Sequence, residues 1–218
     1  MTNKLEKKVY GNREPYFTVS QNIGELVDKR FEQLFVETEA IFPEKREVVE
    51  YMYGKKRGNP KLRPNVVFGS YCVFSQRDPQ SVISKQPEES VIDLMTCAES
   101  LNIAHYAQNT IHDGKRGVLE KNKINDRRKA VFCVNAFLAY ALKISQRYGD
   151  EITAVALHLN DQVLRSFTPE MVMQVEREKY LYDDKAFNAS FYDILSREGV
   201  GGFFANCIRL GYLASGRR

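Results

Sequence analysis

Hydrophobic positions recur at helical spacing along most of the chain. From Ser20 to Ile41 the repeat runs through Ile23, Val27, Phe31, Leu34, Thr38 and Ile41, with Ser20 placed as an N-cap and Pro43 just beyond the end, which predicts an amphipathic helix. A shorter helix is expected over Glu44–Gly54, and the run GKKRGNPK from Gly54 to Lys61 then breaks regular structure. Pro64 suits the first turn of a helix reaching Phe74. Pro87, Glu88 and Glu89 open a long buried helix that ends near Asp113, because acidic side chains are favoured beside the unpaired N–H groups of a helix start. From Arg128 to Tyr148 the sequence RKAVFCVNAFLAYALKISQRY is apolar nearly all round its axis, the pattern of a helix at the centre of a bundle.

Three more helices are expected at Glu151–Ser166, Pro169–Tyr180 and Asn188–Arg197, followed by an apolar one at Val200–Ala214. No useful strand alternation, internal repeat or low-complexity tract interrupts this series, and only residues 54–62, 75–86 and 114–127 read as longer connections. The pattern implies an all-α, single-domain helical bundle over residues 20–218, behind an N-terminal extension of residues 1–19.

Composition narrows the class without naming a function. A chain of 218 residues, 43% of them hydrophobic, is long enough for one sizeable core. The net charge of +4 is small beside 32 basic and 28 acidic residues, so nothing points to nucleic acid as a partner. No window approaches the roughly 18 uninterrupted apolar residues of a membrane span, and the opening MTNKLEKKVYGNREP lacks the apolar core of a signal peptide, so a cytoplasmic protein without a transmembrane segment is expected. Cys72, Cys97, Cys133 and Cys207 lie far apart among apolar neighbours, as buried reduced thiols do.

Four stretches carry a resemblance. Gly58-Asn59-Pro60-Lys61-Leu62-Arg63-Pro64 resembles the G-G-K-x-x-R-P segment of the trans-isoprenyl diphosphate synthases, and Thr110-Ile111-His112-Asp113 resembles the L-I-H-D that opens their first aspartate motif. Ala130–Leu138 is similar to their A-I-L-A-G-D-x-L helix, and Phe203–Gly216 to their L-F-x-x-x-x-x-L-G-x-x-L-A-G run. The resemblance covers roughly residues 20 to 216 and implies the helical isoprenoid-synthase fold, shortened at its C-terminal end, with isopentenyl and allylic diphosphates as the family's substrates.

The departures lie where that family binds metal. Its aspartates stand one helical turn apart so that hard carboxylate oxygens converge on Mg²⁺ and clamp a diphosphate. Here Asp113 is followed by Gly114-Lys115-Arg116-Gly117, which leaves one weak candidate ligand beside two cations. Asn135 replaces the aspartate of A-G-D, Gly199-Val200 replaces a Lys-Thr pair, Tyr106 replaces a histidine and Pro60 replaces a lysine, while the second aspartate-rich helix would lie beyond Arg218.

With these gaps the resemblance implies a protein with no catalytic residues and no cofactor: a non-catalytic or regulatory subunit, homodimeric or heterodimeric with a prenyl diphosphate synthase chain. The alternative is a repurposed prenyltransferase or terpene-synthase-like enzyme that binds an isoprenoid diphosphate, with Mg²⁺ only in that case. Lys61, Arg63, Lys115 and Arg116 are the candidate diphosphate ligands, since lysine and arginine near a helix start suit phosphate oxygens; the plain alternative is a solvated basic loop, which also covers Arg127 and Arg128. Phe132, Phe137, Phe203 and Phe204 are candidate tunnel or interface residues, against an ordinary core role. His105 and His112 lack the further ligands a metal site needs, and Asp183-Asp184 reads as a solvated turn.

Overall fold

The computed structural model describes residues 14–41, 49–50, 53–54, 61–112, 127–161, 197 and 201–216. Helix α1, Glu14–Ile41, buries Ile23, Val27, Phe31, Leu34 and Phe35 along one stripe, as its periodicity requires. It starts a turn and a half before Ser20, because Glu14 and Pro15 are both favoured in a first helical turn; the added turns leave Tyr16 and Phe17 in solvent.

Helix α2, Leu62–Ser75, buries Pro64, Val67, Phe68, Tyr71 and Cys72 and ends on Gln76 in the left-handed conformation. A short helix α3, Pro79–Ser84, follows within what the sequence pattern gives as a connection. Its determinants are local: the Asp78 carboxylate accepts the Ser81 N–H at 2.8 Å, and Pro79 fills the first turn.

Helix α4, Glu89–His112, is the true centre of the bundle. Residues 93–104 are all buried, and the helix touches α1, α2, α5 (Arg127–Ser145) and α7 (Gly202–Ala214). The segment expected to be central, α5 with its 3-10 extension Gln146–Tyr148, instead exposes Val131, Asn135, Ala139 and Lys143, one residue per turn on one side. Its apparent all-round apolarity comes partly from alanines such as Ala139, whose small side chain loses little by facing water. Meanwhile α4 carries Asp93, Thr96, Glu99, Ser100 and Asn102 and is buried nonetheless.

The core is one cluster, with aromatic rings at its α1–α5 side. Phe31 meets Phe137 edge to face at a centroid distance of 5.8 Å and Tyr53 at 4.5 Å, and Phe137 meets Tyr140 at 5.6 Å. Helices α2 and α7 pack closely at Gly211. A Cβ there would stand 2.3 Å from the Val67 carbonyl oxygen, so only glycine permits this spacing.

Helix α6 covers residues 150–161, and Arg209 of α7 reaches Glu151 at 3.9 Å. The rest of the helix expected to Ser166, the one at Pro169–Tyr180 and all of Asn188–Arg197 except Arg197 lie outside the described residues; within Glu44–Gly54, residues 49–50 and 53–54 are helical. The chain is all-α in a single domain, with no strand among the described residues. None of the described helices is long and apolar enough to cross a membrane.

Candidate functional site

Lys61 and Arg63, two residues apart at the start of α2, go to different places. Lys61 immediately precedes the helix, where Asn65 holds its carbonyl through a 2.8 Å bond from Nδ2. From there its side chain runs inward, 1% exposed, and Nζ lies 2.7 Å from Oδ1 of Asp28 on α1. The Tyr53 hydroxyl donates to the same Asp28 oxygen, and the ammonium lies 5.5 Å from the Tyr53 ring centroid. A charge this buried stays in place only with an opposite charge beside it. Lys61 is therefore a clasp between α1 and α2 rather than a cation presented to solvent.

Arg63 packs against α7. Its guanidinium carbon is 5.4 Å from the Phe203 ring centroid and 5.7 Å from that of Phe204, so the delocalised cation rests on two aromatic faces. Its Nε is buried and makes no hydrogen bond. His105 of α4 shares this junction: burial, and after it the Arg63 charge, push its imidazole down to about 4, so it is neutral near pH 7. Below it on α4, Asn102 donates to Glu99 at 3.3 Å, and on α7 the Asn206 amide bonds the Gly202 carbonyl at 3.0 Å. Arg63, His105, Glu99 and Asn102 thus form a polar seam where α2, α4 and α7 meet.

The Cys207 thiol on α7 is pushed up to about 12 by burial, with Arg63 opposing the shift. All four cysteines are buried and free, as the sequence implied.

Of the other expected site residues, Asp113, Lys115 and Arg116 lie outside the described residues, as do Asp183 and Asp184. Arg127 and Arg128 begin α5, and His112 ends α4. Phe132 is partly buried against the core. Phe137 is wholly enclosed by its own chain, so it offers no surface to a partner; Phe203 is 6% exposed under Arg63.

A second polar centre lies at Asp93, which the helical pattern and the resemblance do not mark. Asp93, 0% exposed on α4, accepts Arg30 Nε at 2.5 Å and the Tyr148 hydroxyl at 2.6 Å, and Arg147 Nη1 lies 3.4 Å away. Burial, and then the bond to Asp93, raise the Tyr148 phenol well above its ordinary value. An aspartate inside the apolar run VIDLMTCA was the available cue, but the sequence does not say which cations meet it.

The described carboxylates do not fit Mg²⁺. Asp28 and Asp93 already hold cations, and among the described residues no three His, Cys, Asp or Glu side chains converge as metal ligands would. Compared with protein-family models, curated proteins and solved structures, the chain matches none.

Proposed function

We propose that this chain is a non-catalytic, isoprenoid-synthase-like subunit that pairs with a complete prenyl diphosphate synthase. The observation that carries the reading is the state of Lys61. Pro60 stands where the family has its lysine, and the neighbouring Lys61, the candidate diphosphate ligand, is buried and neutralised by Asp28, which leaves it unable to meet a phosphate without breaking an internal ion pair. Gly114-Lys115-Arg116-Gly117 in place of further aspartates points the same way, since metal-assisted ionisation of an allylic diphosphate needs converging carboxylates.

Two measurements test it. The purified chain with Mg²⁺, isopentenyl diphosphate and geranyl or farnesyl diphosphate is expected to form no product, and sustained turnover would overturn the reading. Co-expressed with the full-length prenyl diphosphate synthase of its own cell, the chain is expected to co-elute as a heterodimer and to change the length of the product. Separate elution with an unaltered product would equally sink the proposal.

One observation favours a second reading, a repurposed enzyme that binds an isoprenoid diphosphate. Arg63 keeps an unbonded Nε at a helix start, beside aromatic rings suited to a prenyl tail. Under that reading geranyl diphosphate binds the chain alone and Arg63→Ala abolishes the binding; no binding by the wild-type chain rules it out.

A further inference from the structure

The Arg30–Asp93 centre opens onto the surface. Where α1 passes the bend between α3 and α4 there is a cleft of about 300 Å³, with Leu26, Pro87 and Ile92 as apolar lining, Lys29, Arg30, Gln33 and Gln86 as basic and amide lining, and the carboxylate of Glu89 at its edge. Its size is at the lower end of small-molecule sites.

Arg30 is the informative residue. Its guanidinium is fixed from behind, with Nε on the buried Asp93 and Nη1 on Gln33 at 2.6 Å. The remaining nitrogen, Nη2, is buried without a hydrogen bond and has only a loose ion pair, to the Glu89 carboxylate 3.6 Å away and itself 78% exposed. A guanidinium held rigidly with a donor left over is pre-organised for an oxyanion. The charge balance agrees. Arg30 and Arg147 are matched by Asp93 and Glu89, so the unmatched positive charge at the cleft is Lys29 on its rim, which makes no ion pair among the described residues. Gln86 holds a left-handed backbone, φ 61°, just past the end of α3, so a side chain lines the cleft where glycine would be unstrained.

We propose that this cleft binds a small amphipathic anion: one phosphate or carboxylate head on Arg30 Nη2 and Lys29, with a short apolar body over Leu26 and Ile92. The site is separate from the Arg63 seam and does not depend on the prenyl-synthase reading.

The test is isothermal titration of the full chain with hexyl phosphate and, separately, hexanoate; whichever saturates identifies the head group. Inorganic phosphate should bind more weakly than hexyl phosphate, because it cannot use the apolar lining. Lys29→Glu, an exposed position, should weaken binding by about tenfold or more with the thermal unfolding midpoint unchanged. Gln33→Leu, which removes an acceptor that aims the guanidinium, should weaken it as well, whereas Lys85→Glu, outside the cleft, should not. No saturable binding of either hexyl compound overturns the proposal. So does a Lys29→Glu chain that binds as well as the wild type, or hexyl phosphate that binds no better than inorganic phosphate.

Discussion

Arg30 on α1 donates from Nε to Oδ1 of Asp93 on α4 at 2.5 Å, and the carboxylate that receives it is wholly out of water. Tyr148 and Arg147 reach the same carboxylate from the far end of α5, so one aspartate ties three helical segments together. Asp93→Asn would leave Arg30 buried opposite a neutral amide, and breaking a buried pair on one side costs about 3 kcal/mol or more. Urea unfolding should show that loss as a lower midpoint at unchanged slope. Arg147→Ala, at a side chain 38% exposed and 3.4 Å distant, should cost less than about 1 kcal/mol.

Gly211 and Gly69 form a contrasting pair. A Cβ at 211 would meet the Val67 carbonyl oxygen at 2.3 Å, the Ser70 Cβ at 2.6 Å and the Tyr71 nitrogen at 2.9 Å, two of them backbone atoms that cannot swing away. Gly211→Ala should therefore push α2 and α7 apart and destabilise by about 1–3 kcal/mol. At Gly69, inside α2, a Cβ would meet nothing within 4 Å. Gly69→Ala should stabilise by about 0.5–1 kcal/mol, because alanine loses less backbone freedom in a helix. Thermal unfolding of the two variants should move in opposite directions.

His105 should make stability depend on acid. Its pKa falls from 6.5 to about 4 on folding, so between those values the unfolded chain binds the proton and the folded chain does not. The stability that goes with the neutral imidazole is fully present above pH 6.5 and is lost as pH falls toward 4. His105→Gln should flatten that part of the stability profile. Proton NMR should show the His105 ring neutral through the range where an ordinary histidine titrates; a midpoint near 6.5 would contradict the burial described.

The four thiols should be inert in the folded protein. Burial pushes Cys72 up to about 11 and Cys97, Cys133 and Cys207 up to about 12, and the reactive species is the thiolate. An aromatic disulfide reagent at pH 8 should label none of them in the native chain and all four in denaturant. Rapid labelling of native Cys207 would mean that the α2–α4–α7 junction opens.

The amino-acid sequence by itself determined where most of the described helices lie, since capping residues and apolar spacing act within a few residues of one another: Pro87 and Glu89 place the start of α4, and Asp78-Pro79 carries the signal for α3, which apolar spacing alone leaves as a connection. It also determined that the cysteines are buried. It did not decide which helix is central, because hydrophobic counting favours the alanine-rich α5 over α4 with its Asp93 and Glu99. Of the candidate site, the position of Arg63 at the start of α2 was legible, but not the Phe203 and Phe204 rings beneath it or the Asp28 carboxylate that takes Lys61. A buried charge is tolerated only where its partner arrives from another helix. Only the tertiary structure brings Asp28 to Lys61, and Arg30 and Tyr148 to Asp93, because each pair joins segments far apart in the chain.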